Sequence, residues 1–316
     1  MTLARAMREP LDIVYCFDAR YVPYAAVSIY SLCLSARSPL RIHCVVPPDE
    51  VRDRGFADRM RDWFGVAIRF HDAPDLRIVD WQVARHISWG TYLRLMIPDL
   101  LTERRAVYLD ADTLVLGDLE DLHQTPLDGC PVGGVVDPVG GRTTRMPRRD
   151  GDPYLNAGVL VMDLDQMRQG RLLEACTAIR EQYGERLTWA DQCVINKYAE
   201  GRKRVFDERW NRQVFANKIS REDWARVSTP IESSVLHFVG STKPWDSWCD
   251  PVISEFWWSY ARKVGLEGLA PTKASRAAHY QQLAAALDSK GDFEAASRVK
   301  GELIERLIRY AKRKVD

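Results

Sequence analysis

The chain has 316 residues, a length that suits one large α/β domain with or without a smaller appendage. Its composition, 46% hydrophobic and 28% charged residues, is ordinary for a soluble globular protein and argues against a disordered or fibrous chain. The net charge of +1 gives no reason to expect a nucleic acid or another polyanion as partner.

The cysteines and the start of the chain indicate the compartment. The odd number of cysteines, their apolar neighbours and the lack of any C-x-x-C pair predict reduced core residues, not a zinc site or disulfides. They are Cys16, Cys33, Cys44, Cys130, Cys176, Cys193 and Cys249. The first ten residues are mixed, and Asp12 and Asp18 follow, so no signal peptide or spanning helix is expected. We therefore expect a cytoplasmic protein.

Short apolar segments alternate with helical ones in the first third of the chain. Strands are predicted over residues 11–17, 40–46, 66–70 and 105–109, and helices over 24–36, 49–64 and 90–101. This alternation predicts an α/β fold with a mostly parallel sheet and helices on both faces. Ligands of such sheets bind beyond the carboxyl ends of the strands.

The rest of the chain continues this pattern and then changes character. Strands are predicted over residues 132–136, 156–164 and 234–239, helices over 172–183 and 190–199, and a mobile loop over 138–153. After Pro271 the sequence becomes rich in alanine, charged and helical. The predicted organisation is one domain over residues 1–270 and a helical C-terminal appendage over residues 271–316.

Two carboxylates, Asp110 and Asp112, flank one small residue directly after the strand predicted over residues 105–109. At this spacing on a non-helical turn, carboxylates can converge on one hard divalent cation. An isolated Asp-x-Asp is more often a polar turn that solvates the end of a strand. Here the preceding apolar run places the pair at the carboxyl edge of the sheet, which favours a metal site.

His237 is the second candidate, because it interrupts an apolar strand. A lone histidine there is more often a satisfied core residue than a ligand. In His237-x-x-Gly240-x-x-Lys243-Pro-Trp245, however, an imidazole is followed by a glycine that allows close backbone approach and by an ammonium group suited to phosphate. Two carboxylates and one imidazole favour Mn²⁺ over Mg²⁺, since nitrogen suits the softer transition ion.

Taken together and in order, the motifs of this chain resemble those of glycosyltransferase family 8, which includes bacterial lipooligosaccharide galactosyltransferases and glycogenin. The motifs are His86-Ile-Ser88, Tyr92-x-Arg94-Leu95, Val107-Tyr-Leu-Asp110-Ala-Asp112, Asn156-Ala-Gly158-Val, Asp191-Gln192 and His237-x-x-Gly-x-x-Lys243-Pro-Trp245. The resemblance runs from about Leu11 to Trp258. It implies a glycosyltransferase A-type nucleotide-binding sheet over residues 1–270 that carries the catalytic site.

The resemblance also implies a role for each matching residue. Asp110, Asp112 and His237 would hold Mn²⁺, with Mg²⁺ as the alternative. Asp18 would meet the uracil of a UDP-sugar in a pocket that Cys16 and Arg20 line. The implied contacts to the donor are Cys16, Asp18, Arg20, Arg94, Asp110, Ala111, Asp137, Asn156, Asp191, Gly240 and Lys243. The donor sugar would be held by Arg94, Asn156 and Asp191, with help from Asp137. The diphosphate would be contacted by Gly240 and Lys243.

Asp191 and Gln192 are the catalytic candidates of a retaining hexosyltransferase. A carboxylate such as Asp191 could attack first and form a covalent intermediate. Alternatively the acceptor attacks from the face of the leaving group. The resemblance implies that Gln192 would lie beneath the anomeric carbon, and because an amide is a poor nucleophile, that position would favour this route. Two residues of this chain depart from the family pattern. Arg20, in the predicted nucleoside pocket, stands where some relatives have a small amide. Cys193, next to Gln192, stands where a second acidic residue is common.

Three further interpretations remain to be weighed. Asp110-Ala-Asp112-Thr113 also fits the opening of haloacid-dehalogenase phosphatases, but no later acidic pair follows and His237 to Trp245 would be unexplained. A non-catalytic sugar-nucleotide binding protein is the other alternative.

The basic amphipathic C-terminal helix could rest on an anionic membrane or, as the more ordinary interpretation, pack its apolar stripe on protein. The acceptor is open: a glycan, a lipid-linked sugar, a small molecule or a protein hydroxyl.

Overall fold

The computed structural model describes residues 9–48, 50–51, 55–74, 89–266 and 268–315. The chain divides into two compact units. The first contains residues 1–212 and 226–237, and the second contains residues 213–225 and 238–316. The predicted boundary at residue 270 between a catalytic domain and an appendage stays a prediction.

A mixed sheet forms the centre of the first unit. In the part of the chain that the structure describes, it has seven strands: β1 (Leu11–Cys16), β2 (Leu40–Val46), β3 (Ile68–Asp72), β4 (Arg105–Leu109), β6 (Val132–Val136), β7 (Leu155–Asp163) and β8 (Lys203–Val205). Their order is β3-β2-β1-β4-β7-β6-β8. Only β7 runs antiparallel to its neighbours, β4 and β6, among these strands. The mostly parallel sheet predicted from the sequence is therefore confirmed.

Helices surround this sheet. They are α1 (Val22–Ser35), α2 (Gly55–Phe64), α3 (Ile97–Leu100), α4 (Glu120–Gln124), α5 (Gly140–Thr143), α6 (Leu164–Gln169), α7 (Leu172–Tyr183) and α8 (Ala190–Tyr198). Short 3₁₀ helices occur at Ala19–Tyr21, Trp89–Met96, Gly184–Arg186 and Glu208–Asn211. Every residue of β1 is buried, as expected for a central strand covered on both faces. Its Val14 joins a cluster that also contains Tyr108 of β4 and Leu160 of β7.

A second, small sheet lies beside the first, and it contains the strand that was predicted over residues 234–239. Strand β5 (Thr113–Val115) pairs antiparallel with β10 (Val235–His237), with Thr113 opposite His237. Strand β9 (Arg212–Gln213) follows β10 in the sheet order. The predicted strand is thus shorter than expected, because Phe238 and Val239 lie outside the ladder. This ladder joins the chain after Asp112 to the strand that ends in His237.

Helices dominate the second unit: α10 (Pro251–Val264), α11 (Ala277–Ser289) and α12 (Phe293–Val315), with α9 (Arg221–Val227) beginning in it. Asp250 caps α10 by accepting from the Val252 N–H, and Pro251 stands in its first turn. Helices α11 and α12 contact each other where the Arg306 guanidinium lies 4.8 Å from the centre of the Tyr280 ring. The helical C-terminal appendage is confirmed. No helix in the described ranges is long and apolar enough to span a membrane.

Two predicted elements differ from the structure for local reasons. Strand β3 begins at Ile68 and not at residue 66, because Gly65 ends α2 in the left-handed region with φ of 68°. The loop predicted as mobile contains α5 and is held down: Met146 is buried, and Arg148 donates to the carbonyls of Gly141 and Asp152. The structure describes all seven cysteines, and none of them forms a disulfide.

Candidate active site

Three residues with metal-ligand chemistry meet where the two sheets of the first unit adjoin. Asp110 and Asp112 follow β4 directly, and His237 ends β10. His237 Nε2 lies 3.3 Å from Asp112 Oδ1 and 3.7 Å from Asp110 Oδ2. One ligand atom of each residue lies within 4.8 Å of the others. The structure therefore brings together the three predicted ligands, which are called the metal group below.

The donor set of the metal group fits a divalent transition ion. Two carboxylates and a buried imidazole offer oxygen and nitrogen ligands, the combination that suits Mn²⁺. One imidazole between two carboxylates also leaves net negative charge, which a divalent cation would offset.

Gly158 explains how the imidazole fits against β7. A Cβ atom at this position would lie 2.1 Å from His237 Cε1, so no other residue type leaves the ring where it is. The Gly158 carbonyl also accepts from the Asp110 N–H at 2.8 Å. The residues Asn, Ala and Gly of this motif are common in turns, but here they belong to strand β7. The glycine of the motif makes room for the ring of a candidate ligand.

A buried guanidinium links the metal group to α8. Arg94 donates through Nη2 to Asp110 Oδ1 at 2.8 Å, and its Nε lies 2.9 Å from Asp191 Oδ2. Its Nη1 also donates to the Ala157 carbonyl. Burial lowers the pKa of Arg94, but the charges of Asp110 and Asp191 raise it by more. Burial raises the pKa of Asp191, although Arg94 acts against the shift.

An amide network lies at the ends of β6 and β7. Gln192 Oε1 accepts from the Ala157 N–H at 3.0 Å, and Gln192 Nε2 donates to Asp137 Oδ2 at 2.9 Å. The other oxygen of Asp137 accepts from the Val139 and Gly140 N–H groups. A Cβ at Gly140 would lie 2.6 Å from Asp137 Oδ2, so this glycine lets the loop approach the carboxylate. Both side chains are thus held in one orientation.

The predicted nucleoside residues lie at the end of β1. Cys16 is its last residue, on a strand that pairs with β4, and burial raises the pKa of its thiol. Asp18 is buried and accepts from the Arg20 N–H and from Arg20 Nη2, both at 3.0 Å. Arg20 itself is mostly exposed. Ala111 is buried between the two aspartates of the metal group.

Gly240 and Lys243 belong to the second unit. Gly240 has φ of 84°, a conformation that glycine adopts without strain. Lys243 donates from Nζ to the Phe238 carbonyl at 2.6 Å and from its N–H to Asp246 Oδ2 at 2.8 Å. A tight turn therefore holds the lysine that the sequence assigned to the diphosphate.

Two polar residues at the site were not singled out from the sequence. Tyr108 donates to Asp110 Oδ1 at 2.6 Å, and Asn211 Oδ1 lies 3.0 Å from His237 Nδ1. Tyr108 was assigned only to an apolar strand, and the isolated Asn211 carries no signal of its own. The predicted motif from His86 to Ser88 lies outside the described residues.

Several known proteins are similar to this chain in sequence. The family model described as glycosyl transferase family 8 matches residues 12–249. The chain is 24% identical over 260 residues to the glycosyltransferase GlyA of Streptococcus pneumoniae, covering 80% of this chain and 35% of that protein. It is 27% identical over 261 residues to the lipopolysaccharide 1,2-glucosyltransferase of Escherichia coli, covering 76% of this chain and 74% of that protein.

Solved structures are similar as well. The galactosyltransferase LgtC in complex with donor and acceptor sugar analogs matches with a TM-score of 0.70 and 26% identity, over 80% of this chain and 96% of that one. The glycosyltransferase GlyE of Streptococcus pneumoniae matches in fold with a TM-score of 0.61 and 20% identity, over 80% of this chain and 60% of that one. The chain spans less than half of the length of the pneumococcal relatives GlyA, GlyB and GlyF.

Proposed function

The chain belongs to glycosyltransferase family 8, and from that premise we propose that it is a metal-dependent, retaining hexosyltransferase. In this proposal it moves glucose or galactose from a UDP-sugar to a hydroxyl of a glycan, a lipid-linked sugar or a small molecule. The observation that carries the proposal is the metal group beside the buried Arg94–Asp191 pair. The names of the Escherichia coli glucosyltransferase and of the galactosyltransferase LgtC support a hexose donor.

Asp110, Asp112 and His237 are proposed to hold the cation, Mn²⁺ by preference and Mg²⁺ as the alternative. Bound there, the ion would stabilise the negative charge that develops on the leaving diphosphate. Lys243 and the backbone at Gly240 are proposed to contact a diphosphate. The chemistry of the two residues supports this assignment, since an ammonium group suits phosphate and a glycine with φ of 84° leaves its backbone open to close approach.

The remaining residues are proposed to bind the other parts of the donor. Asp18 would accept from the uracil, with Cys16 and Ala111 as apolar wall and Arg20 at the entrance. Their burial, with Arg20 alone exposed, supports this arrangement. The sugar would bind to these polar residues: Arg94, Asp137, Asn156 and Asp191.

The contacts of Asp191 and Gln192 favour attack from the face of the leaving group. Asp191 is buried and paired with Arg94, which weakens it as a nucleophile. Gln192 is neutral and held by Ala157 and Asp137, so its amide oxygen can offer a dipole but no stable covalent bond. We propose that the acceptor oxygen attacks the anomeric carbon while its proton passes to the departing phosphate oxygen.

The test is nucleotide release from a panel of nucleotide sugars, measured with Mn²⁺ and with a chelator. We expect slow release of UDP from one UDP-hexose, abolished by the chelator and by Asp112→Asn. The control Asp128→Asn removes an exposed carboxylate that pairs with Arg204 and not with the metal group, so it should change nothing. Binding of UDP with Mn²⁺ but no release, with any acceptor, would favour the non-catalytic binding protein. No binding at all would contradict both.

We further propose contact between α12 and an anionic membrane surface, with the cytoplasm as the compartment. Ile304, Leu307 and Ile308 share one face of α12 and are at least half exposed. The sequence from residue 304 to 315 contains five basic residues and one acidic one, Glu305. The apolar stripe of such a helix can insert into the lipid surface, and its basic residues are attracted to anionic headgroups.

Sedimentation with vesicles tests this contact. The protein should sediment with anionic vesicles and not with zwitterionic ones, and serine at the three stripe positions should abolish sedimentation. The control Ile231→Ser removes an isoleucine of the first unit that is 84% exposed, and it should leave sedimentation unchanged. Equal sedimentation of the stripe variant and the native protein would contradict membrane contact through α12.

A further inference from the structure

We infer that Asn211 is a positioning residue that holds His237 in one tautomer and ties this ligand to Asn156. The inference rests on the proposed metal site. Asn211 is the last residue of the 3₁₀ helix Glu208–Asn211 and is 1% exposed. Its Oδ1 lies 3.0 Å from His237 Nδ1, and its Nδ2 lies 2.9 Å from Asn156 Oδ1.

A backbone group determines the direction of every bond in this chain of contacts. The Gly158 N–H can only donate, and it lies 2.9 Å from Asn156 Oδ1, so this atom is the amide oxygen. An oxygen accepts, so the atom of Asn211 that faces it must be the NH₂ group. The oxygen of Asn211 therefore faces His237 Nδ1.

The tautomer of the imidazole follows. Because the Asn211 oxygen can only accept, His237 Nδ1 carries the hydrogen. The neutral ring then has its lone pair on Nε2, the atom that lies 3.3 Å from Asp112 Oδ1. A cation bound between the imidazole and the carboxylates needs the Nε2 lone pair to point towards the carboxylate oxygens. In metal sites, the other ring nitrogen of a ligating histidine commonly donates a hydrogen bond that fixes this orientation.

The same contacts join the two halves of the candidate site. Asn156 is proposed to contact the donor sugar, whereas His237 is proposed to hold the metal, and one amide bonds to both. Gly158 supports the arrangement twice, through its N–H and through the space that the ring fills. Asn211 thereby limits the rotation of a ligand that the β10 backbone alone would leave free to turn.

Three variants separate this role from ordinary packing. Asn211→Asp keeps an acceptor for the Nδ1–H and loses the donor to Asn156, whereas Asn211→Leu loses both. The control Asn196→Leu also removes a buried amide, 2% exposed, whose bonds go to backbone groups of Leu155 and Gln192 and not to the metal group. All three are compared with the native protein after their folding has been checked by circular dichroism.

The first readout is the tautomer itself, measured by ¹⁵N NMR of histidine-labelled protein without metal at alkaline pH. We expect the Nδ1–H form of His237 in the native protein, in Asn211→Asp and in Asn196→Leu. In Asn211→Leu we expect the Nε2–H form that predominates in free imidazole side chains. An unchanged Nδ1–H signal in Asn211→Leu would overturn the inference.

The second readout is binding of Mn²⁺ alone, followed by electron paramagnetic resonance. Asn211→Leu should bind about 10- to 100-fold more weakly, the usual effect of losing such an orienting contact. Asn211→Asp should restore binding and should raise KM for the UDP-sugar, with a smaller effect on kcat. Equal Mn²⁺ affinity in Asn211→Leu and native protein would overturn the inference about Asn211 but not the proposed metal site. A native protein that binds no Mn²⁺ would overturn the proposed metal site as well.

Discussion

Arg94 donates to the oxygen of Asp110 that does not face His237, across 2.8 Å. The same oxygen accepts from Tyr108, and the second carboxylate on Arg94 is Asp191. One oxygen of Asp110 is therefore held by the protein, and the other is directed towards the metal group. Arg94 acts on both the candidate ligand and the candidate sugar contact, so its replacement should affect stability and binding together.

Arg94→Met should lower the free energy of unfolding by about 3–5 kcal/mol, because it leaves the buried Asp191 and the half-buried Asp110 without their counter-charge. Arg94 is 3% exposed, so water replaces it poorly. Adding Asp191→Asn should recover part of the loss, since one of the two charges is then removed. Urea unfolding of the single and double variants measures this. Equal stability of Arg94→Met and the native protein would show that the guanidinium contributes no net stabilisation.

Gly158→Ala should abolish Mn²⁺ binding, because the new methyl group would occupy the position of the His237 ring. The matched control is Gly133→Ala in β6, where a Cβ would lie 2.3 Å from the Phe206 ring and not near the metal group. Both variants should unfold more easily, but only Gly158→Ala should lose the cation. Calorimetric titration with Mn²⁺ checks this. Loss of binding in both variants would mean that general distortion of the sheet is the cause.

Gln192→Glu should give a pH-dependent defect. At neutral pH its carboxylate cannot donate to Asp137, and two like charges would lie 2.9 Å apart. We expect kcat to fall about 10-fold or more, as for a lost hydrogen bond to a charged group. The defect should shrink as the pH falls, because a protonated Glu donates again. The control Gln192→Met cannot titrate, so parallel pH profiles for the two variants would contradict this explanation.

Asp12→Asn should remove part of the acid sensitivity of the fold. Burial raises the pKa of Asp12, but hydrogen bonds from His43 and Arg41 lower it by more, so it lies below the ordinary 3.8. A carboxyl group with a lowered pKa stabilises the fold above its unfolded-state pKa, and this contribution is lost as the pH falls through the folded-state value.

At neutral pH we therefore expect Asp12→Asn to lose about 1–3 kcal/mol, the cost of a buried group without its hydrogen-bond partner. As the pH falls below the lowered pKa of Asp12 in the folded state, the difference from the native protein should vanish. Urea unfolding at a series of pH values measures the loss of stability at neutral pH and its disappearance in acid. The variant Asp128→Asn, which changes an exposed carboxylate, is the control. A difference that stays constant into the acid range would show that Asp12 is not the titrating group.

Asp12 also belongs to a second group of possible metal ligands, with His43 and Glu103. Here the guanidinium of Arg41 already binds Asp12, through Nε at 2.5 Å and Nη2 at 2.9 Å. The group lies at the start of β1, whereas the metal group follows the carboxyl end of β4. A cation would have to displace Arg41, so we assign this group to the scaffold.

The strands with strong apolar runs could be predicted from the sequence. Strand β4 ends where Asp110 begins, as predicted, because a charged pair after four buried residues is an unambiguous boundary. Strands β5 and β8 have three residues each, too few for alternation to be visible. The segment Trp89–Met96 has apolar residues at helical spacing, but its 3₁₀ geometry depends on packing and could not be predicted from that spacing.

The candidate site was predictable where chemistry-bearing residues form a motif, and unpredictable where one side chain acts alone. Asp110, Asp112 and His237 come from two segments that share an order and a spacing with a known family. Asn211 has neither, since a single amide in an irregular stretch is most often a surface residue. Its importance depends on two partners, Asn156 and His237, that are distant in sequence and meet only in the fold.

The pairing of β5 with β10 has a consequence for how the sequence can change. Thr113 lies opposite His237, so the ladder sets the separation of His237 from the adjacent Asp112, whatever the length of the chain between them. A slip of one residue would turn the imidazole to the other face of the sheet. Changes of length in the surface loops between the two strands are therefore compatible with an unchanged ligand set, whereas a single-residue deletion within either strand is not.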